Sequence, residues 1–253
     1  MAKPQNFVII TQPRSGSYFF QSLLDSAEDV VCHGEIFKAS RIEVRAWHKR
    51  QLSLDPSDIT RRNKNPCAFV MELRHLNPHK IFGFKAFWPH LLPHDDIIKR
   101  IINNAEWKKV FLIRDPLETY ASLLRARKTK VWTSIAPSST HASECANNIK
   151  VEFDVRSFEE HIEVHKRFLD RRDALANKQP VSCYNINYAD VMSPEKQSEV
   201  LDFLGSATKA SSLTSTYKKQ YAGTLRNAFE NWGELQSYLA NKDAQELISH
   251  HRE

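Results

Sequence analysis

One short segment near the start of the chain carries residue types suited to binding an anion. In the segment Arg14–Ser17, Gly16 lies between two serines, after the apolar run Phe7–Ile10 and before a helical pattern. Backbone N–H groups and a helix dipole converge on such a loop, which therefore predicts a phosphate cradle. The same residues also suit an ordinary strand-to-helix turn. The second glycine and the lysine of the Walker A pattern GxxxxGK[ST] are missing, which argues against a standard ATPase or GTPase.

A second candidate site lies one hundred residues later. Arg114 follows the apolar run Val110–Ile113, and Ser122 is eight residues further along, on the second turn of the expected next helix. Because open α/β sheets bind ligands at the carboxyl ends of their strands, both residues can face one crevice. A guanidinium and a hydroxyl suit a second phosphate. The alternative is an arginine paired with a nearby acid and a serine exposed on a helix. Arg114 also stands where a Walker B carboxylate would end the strand, so magnesium is not implied.

The elements that must hold these residues alternate between strands and helices. Short apolar runs typical of buried strands are Phe7–Ile10, Val30–Val31, Ile81–Phe87, Val110–Ile113 and Val181–Asn187. Helical spacing of apolar residues follows several of them, and Asp115 with Pro116 provides a cap and a first helical residue. This alternation predicts an α/β fold with a central parallel sheet, in which the first run is a central strand.

Three further segments complete the expected organisation. Residues 38–65 are polar and basic, which predicts a surface excursion or lid, and residues 133–148 predict a loop or a short irregular helix. A long helix should follow. Its apolar stripe is Phe158, Ile162, Val164, His165, Phe168 and Leu169.

Composition limits the class of protein. The chain has 253 residues, of which 41% are hydrophobic and 26% charged, and we expect one domain over residues 1–253. No apolar run approaches the roughly 20 residues that span a bilayer, and no secretory signal is apparent, so we expect a cytoplasmic protein without stable membrane insertion. The formal net charge of +6 favours an anionic ligand, but no nucleic-acid-binding signature accompanies it. The four widely spaced cysteines indicate buried thiols.

The two candidate sites resemble motifs of a known family. Gln12–Ser17 is similar to the 5′-phosphosulfate loop of sulfotransferases, and Arg114-Asp115-Pro116 with Ser122 is similar to their 3′-phosphate motif, RxPxxxxxS. The chain resembles most the bacterial carbohydrate sulfotransferases of the trehalose-sulfotransferase and nodulation-factor type. The resemblance covers most of residues 7 to 191 and includes Gly34–Phe37, Phe82–Lys85, Arg127–Trp132 and Tyr188–Val191.

This resemblance implies a P-loop-like three-layer α/β fold and the donor 3′-phosphoadenosine 5′-phosphosulfate (PAPS), which leaves as PAP. It implies transfer of a sulfuryl group to a hydroxyl of a carbohydrate, a glycolipid or another small acceptor, with no metal required. It also allows a homodimer.

The resemblance further implies roles for individual residues. Glu35 matches the general base, while Arg14 and Lys85 supply positive charge to the reacting group. The residues implied in donor binding are Arg14, Ser15, Gly16, Ser17, Tyr18, Arg114 and Ser122.

Several residues have competing interpretations. Lys85 could instead pair with Glu35 or lie on the surface, and His33 is an alternative base that we expect to face away from Glu35. His161 and His165 are one helical turn apart, but their sequence is not HExxH, so zinc is disfavoured. Trp132 could stack on adenine or a sugar, or be buried in a core.

The chain also departs from cytosolic arylamine and steroid sulfotransferases. Those enzymes have lysine in place of Arg14 and an RKGxxGDWK-like segment that is absent here; Lys218–Gln220 or Arg226 could replace it. Two other functions stay open: an ATP-dependent phosphotransferase of P-loop type, and a non-catalytic nucleotide-binding protein.

Overall fold

The computed structural model describes residues 5–55, 57, 59–132, 149–217 and 224–241. Five parallel strands form one sheet in the order β2-β3-β1-β4-β5. The strands are β1 Asn6–Thr11, β2 Val30–Glu35, β3 Ile81–Phe87, β4 Trp107–Ile113 and β5 Cys183–Asn187.

Helices cover both faces of the sheet. A π-helical turn, Ile98–Ile102, extends α6, and short 3₁₀ turns lie at Pro180–Ser182, Tyr188–Asp190 and Ala210–Ser212. The helices are α1 Ser17–Asp25, α2 Ala46–Gln51, α3 Thr60–Lys64, α4 Pro66–His75, α5 Trp88–Leu91, α6 Asp95–Ile97, α7 Pro116–Thr129, α8 Val155–Lys178, α9 Pro194–Leu204, α10 Leu225–Ala228 and α11 Trp232–Ala240.

The sheet separates two apolar layers, and a third apolar cluster packs α7 against α8 and α11. Alternate residues of the strands point to opposite faces. Val8 and Ile10 of β1 therefore pack in the layer that α4 and α8 cover, whereas Phe7 and Ile9 pack in the layer that α1 and α9 cover. All four side chains are fully buried. This arrangement confirms the expected α/β fold with a central parallel sheet and β1 at its centre.

The segment between β2 and α4 differs in part from the surface excursion that its polarity predicted. Ile42, His48 and Arg62 are all buried, and the segment contains α2 and α3. Arg62 donates hydrogen bonds from Nη1 to the carbonyls of Ile36 and Lys38, at 2.9 and 2.8 Å. Most of the described residues at 38–65 are exposed, as expected, but the sequence did not indicate the buried residues, because buried polar side chains with good partners give no apolar pattern.

Three smaller expectations also need correction. Val164, which was expected in the apolar stripe of α8, is 47% exposed. It lies two residues after buried Ile162 and therefore about 200° around the helix from it. Strand β5 begins at Cys183, after a 3₁₀ turn, rather than at Val181. Cys32 is buried as expected, but Cys67 and Cys183 are partly exposed.

Two expectations concern parts of the chain outside the described residues. These are the loop at 133–148, which includes Cys145, and the basic residues 218–220. Within the described ranges, no helix is both long and apolar enough to cross a bilayer.

The contacts of Arg62 lead to a test of this packing. We expect Arg62→Ala to lower the free energy of unfolding by about 2–4 kcal/mol, because two carbonyls lose their donor inside the protein. The neighbouring Arg61 is partly exposed and pairs with Glu72 on the surface, so Arg61→Ala should cost less than about 1 kcal/mol. Urea unfolding of both variants measures the difference, and equal losses would contradict the structural role of Arg62.

Candidate active site

The loop between β1 and α1 has an unusual backbone. Arg14 and Gly16 both have positive φ angles, of 70° and 81°, and Gly16 directly precedes α1. Thr11 fixes the start of the loop, because its Oγ1 donates to the Leu112 carbonyl and lies 2.7 Å from Ser15 Oγ. A left-handed conformation is costly for arginine, so the surrounding contacts must hold it.

Gly16 is required by close packing as well as by conformation. A Cβ atom at this position would lie 2.0 Å from Cε2 of Tyr188, whose ring lies above the loop. The first turn of α1 contains no acidic residue. A helix N-terminus preceded by glycine and free of acids favours an anion, so the phosphate-cradle interpretation fits better than an ordinary turn.

The second candidate site directly contacts the first. Arg14 Nε donates to Ser122 Oγ at 3.1 Å, and Arg114 Nη1 donates to the Arg14 carbonyl at 3.0 Å. Arg114 also pairs with Glu118 at 2.8 Å and lies 4.4 Å from the centre of the Tyr188 ring. Burial, and then the nearby Arg114 charge, lower the pKa of Arg14 to about 10. Arg114 therefore pairs with an acid, as in the alternative interpretation, while Ser122 contacts Arg14, whose carbonyl Arg114 binds.

The candidate base forms a buried ion pair. Glu35, the last residue of β2, has its Oε1 2.9 Å from Lys85 Nζ of β3, and both side chains are almost fully buried. Lys85 Nζ also lies 3.1 Å from the centre of the Tyr18 ring. Burial lowers the pKa of Lys85, and the charge of Glu35 opposes that shift. Lys85 therefore pairs with Glu35, and the surface-lysine alternative is wrong.

A register shift in β2 directs Glu35 to this place. His33 pairs with Phe84, and the next paired residue, Glu35, pairs with Lys85, so that the ladder passes over Gly34. Residues two apart on a regular strand share a face, but the shift separates these two side chains. His33 packs against Phe82 and His48, on the face opposite to Lys85. The expectation that His33 faces away from Glu35 is confirmed.

Glu43 is a central member of the site that sequence reasoning missed. Its carboxylate accepts hydrogen bonds from the hydroxyl of Tyr18 at 2.7 Å, from Arg41 at 2.8 Å and from Lys38 at 3.3 Å. Burial alone would raise the pKa of Glu43, but these donors lower it to about 2. Tyr18, grouped by sequence with the donor-binding residues, thus lies between the phosphate loop and the Glu35–Lys85 pair.

The structure also places the less favoured candidates. Trp132 is 50% exposed, which excludes the core interpretation, and its carbonyl accepts a hydrogen bond from Arg14. His161 hydrogen-bonds with Thr119 and His165 with Gln12. No group of three or more potential metal ligands occurs in the described part of the chain. Arg226 is exposed on α10.

Two buried histidines, His33 and His48, form a series of hydrogen bonds next to strand β2. The Arg45 amide donates to His33 Nδ1 at 3.3 Å, His33 Nε2 lies 3.1 Å from His48 Nδ1, and His48 Nε2 lies 2.7 Å from the Asn77 amide group. The first bond requires an unprotonated His33 Nδ1. His33 Nε2–H then donates to His48 Nδ1, so His48 carries its own proton on Nε2 and the Asn77 amide presents its oxygen to that proton. Both rings are neutral and hold α2 against the sheet.

These buried histidines predict that the folded protein becomes less stable as the pH falls. Burial, and then the Arg45 charge, lower the pKa of His48 from 6.5 to about 4. Between these values the unfolded chain binds a proton that the folded protein does not, so stability falls as pH falls. We expect the melting temperature to drop from pH 7 to pH 4.5, and to drop less in His48→Gln. His75→Gln, at an exposed histidine, should keep the parental pH dependence. An unchanged pH dependence in His48→Gln would contradict this prediction.

Comparison with known proteins places these features in context. No family model matches the sequence. Nodulation protein H of Rhizobium tropici is 23% identical over 252 residues, which cover 95% of this chain and 91% of that protein. Among solved structures, the sulfotransferase domain from the curacin biosynthetic pathway aligns with a TM-score of 0.50 and 14% identity, covering 99% of this chain and 98% of that one.

The structural match confirms the expected P-loop-like fold, and the sequence match agrees with the nodulation-factor branch that the motifs resemble. The chain therefore has the fold of sulfotransferases and is similar over most of its length to a nodulation protein.

Proposed function

We propose that this protein is a PAPS-dependent sulfotransferase that modifies a hydroxyl of a carbohydrate or glycolipid acceptor, with Glu35 as the general base. The observation that carries this proposal is the buried Glu35–Lys85 ion pair beside the phosphate loop. Tyr18 connects the two features, because it lies in the first turn of α1 and its ring covers Lys85 Nζ. Tyr18 thus connects a base and a cation with an anion-binding loop.

The chemistry of the loop fits a donor with two phosphate positions. The cradle at Gly16 and the first turn of α1 suit the 5′ side of PAPS, and the Arg114–Ser122 pair suits its 3′-phosphate. Arg14 lies between them, since its side chain contacts Ser122 while its carbonyl contacts Arg114. Ser15 and Ser17 are buried, so we propose that the loop contacts the donor mainly through backbone N–H groups.

Each charged residue has a distinct part in sulfuryl transfer. When bound, PAPS supplies an activated sulfur that an acceptor hydroxyl attacks in line with the departing phosphate. The Glu35 carboxylate takes the proton of that hydroxyl. Lys85 has no well-aligned hydrogen-bond acceptor among the described residues, so its ammonium group can interact with sulfuryl oxygens while it orients Glu35. Arg14 can stabilise charge at the bridging oxygen.

The two rival functions fit these residues less well. An ATP-dependent phosphotransferase would need a Walker lysine and a carboxylate at the end of β4, where Arg114 stands. A non-catalytic nucleotide-binding protein would not need a buried carboxylate beside its phosphate loop. Thermal shifts with PAP, ATP and magnesium-ATP would separate them, and stabilisation by ATP without any by PAP would overturn the proposal.

The acceptor class rests on the resemblance to the carbohydrate branch. A screen of trehalose, oligosaccharides, glycolipids, phenols and steroids with ³⁵S-labelled PAPS would test it. If only phenols or steroids were labelled, the proposed carbohydrate acceptor would be wrong, but the proposed donor would still stand. We also propose, from sequence alone, a cytoplasmic location and a homodimer, which cell fractionation and sedimentation would test.

Glu35→Gln tests the base assignment. Glutamine keeps the shape and most hydrogen bonds but cannot take a proton, so we expect kcat to fall by about a hundred- to ten-thousand-fold. PAP affinity, measured by calorimetry, should be close to parental.

Stability must be measured in the same preparation, because Glu35→Gln leaves the Lys85 ammonium buried without its partner. Glu72→Gln, a change of the same type on α4 far in sequence from these loops, should leave kcat unchanged. A parental kcat per folded molecule in Glu35→Gln would refute the base assignment.

Arg114→Ala tests the 3′-phosphate assignment. Arg114 contacts a ground-state phosphate and also holds the Arg14 carbonyl, so we expect PAP affinity to fall by at least about tenfold, or about 1.5–3 kcal/mol. The KM for PAPS should rise more than kcat falls. Arg156→Ala, at an exposed arginine of α8, provides the control. Parental PAP affinity in Arg114→Ala would exclude the proposed contact.

A further inference from the structure

His90 occupies a position beside the candidate base that none of the preceding roles explains. It lies on α5, which begins directly after β3, and its Nδ1 is 3.8 Å from Glu35 Oε2. This nitrogen is buried and has no hydrogen-bond partner among the described residues. The ring packs against Phe87, with the ring centres 5.1 Å apart. The His90 side chain is 21% exposed, whereas that of Glu35 is 2% exposed.

A buried general base must release its proton before it can act again. The nearest partners of Glu35 cannot accept that proton, because Lys85 and Lys38 are ammonium groups. Glu43 is a poor acceptor, since its pKa is about 2. The Tyr18 hydroxyl donates its proton to Glu43. Among the described groups around Glu35, the His90 imidazole remains the best base, and its ring is partly exposed to solvent.

We propose that His90 takes the proton from Glu35 after each sulfuryl transfer and passes it to solvent. The inference rests on the proposed function, in which Glu35 is the general base. In this step the O–H bond of protonated Glu35 breaks and an N–H bond forms at His90 Nδ1. The resulting imidazolium ring then gives a proton to water. Glu35 returns to its carboxylate form and His90 to its neutral form, so that no other reactant is consumed.

The surroundings of His90 keep the ring neutral before the transfer. Burial is the main cause that lowers the pKa of His90, and the positive charges of Lys38 and Lys85 lower it further. The negative charges of Glu35 and Glu43 act in the opposite direction. A neutral ring with an unpaired Nδ1 can accept a proton, whereas a ring already charged could not.

The present distance is longer than a hydrogen bond. A small rotation of the His90 ring would bring Nδ1 within hydrogen-bond distance of Glu35 Oε2. Catalytic contacts are commonly longer in the free enzyme than in its complexes. The separation of 3.8 Å therefore suits a group that receives a proton after the reaction instead of holding the base during it.

Transient kinetics of His90→Gln distinguishes proton release from a structural role. PAP formation from PAPS is followed with trehalose present and with water as the only acceptor. Because Glu35 starts as the carboxylate, the first turnover should proceed at the parental rate. Later turnovers should be at least about tenfold slower and should recover when imidazole is added to the buffer. His94→Gln, a matched change at a half-buried histidine four residues later, should show parental rates in both phases.

The alternative outcomes have separate meanings. A parental steady-state rate in His90→Gln, or equal slowing of the first and later turnovers without rescue by imidazole, would overturn the role of His90. Failure of the parent protein to release PAP under any condition would overturn the proposed function itself.

An independent measurement tests the contact without turnover. In ¹⁵N-histidine NMR titrations, the free His90 ring should carry its proton on Nε2, and its pKa should fall in Glu35→Gln, because a negative charge that favours the imidazolium is lost. An unchanged His90 pKa in that variant would show that the two groups do not interact, and would overturn the proposal whatever the activity.

Discussion

The buried ion pair of Glu35 and Lys85 is the interaction on which the rest of the site depends. Removing a carboxylate and an ammonium group from water is costly, and their mutual attraction offsets this cost only when the geometry is good and other groups assist. Here the Tyr18 ring covers the ammonium group, and Lys38 and His90 lie near the carboxylate. Loss of either partner would leave a charge in an environment that water reaches poorly. The pair therefore constrains every element that contributes to it.

The sheet order explains how two distant motifs meet at this pair. The chain leaves β1 in one direction to form β2 and β3, and then crosses to form β4 and β5 on the other side. Because β1 lies between β3 and β4, the loops after these three strands open on the same edge. The phosphate loop, Lys85 and Arg114 consequently come together although one hundred residues separate the two arginines. The bulge at Gly34 adds Glu35 to the same edge from β2.

The features that the sequence predicted well are those encoded in consecutive residues. Wholly apolar runs identified the central strands, and the Asp115–Pro116 pair identified the start of α7, where Asp115 caps two backbone amides. The features that it did not reveal depend on contacts between distant residues. Arg62 and His48 can be buried because carbonyl groups and another histidine satisfy their hydrogen bonds. The polar sequence of the segment does not indicate these contacts. Glu43 and His90 likewise gain their significance only from their distances to Tyr18 and Glu35.

The arginines of the two candidate phosphate sites and the lysine of the ion pair are suited to different tasks. Arg114 lies close enough for its positive charge to contribute, after burial, to the lowered pKa of Arg14, so the two side chains repel each other. A ligand with several negative charges relieves this repulsion, and the planar guanidinium groups bind phosphate without losing their protons. Lys85, in contrast, is buried and pairs with Glu35, so its charge depends mainly on that carboxylate. In the proposed function, the donor would therefore meet permanent charge at its phosphates, whereas the reacting group would meet a cation whose charge is coupled to the base.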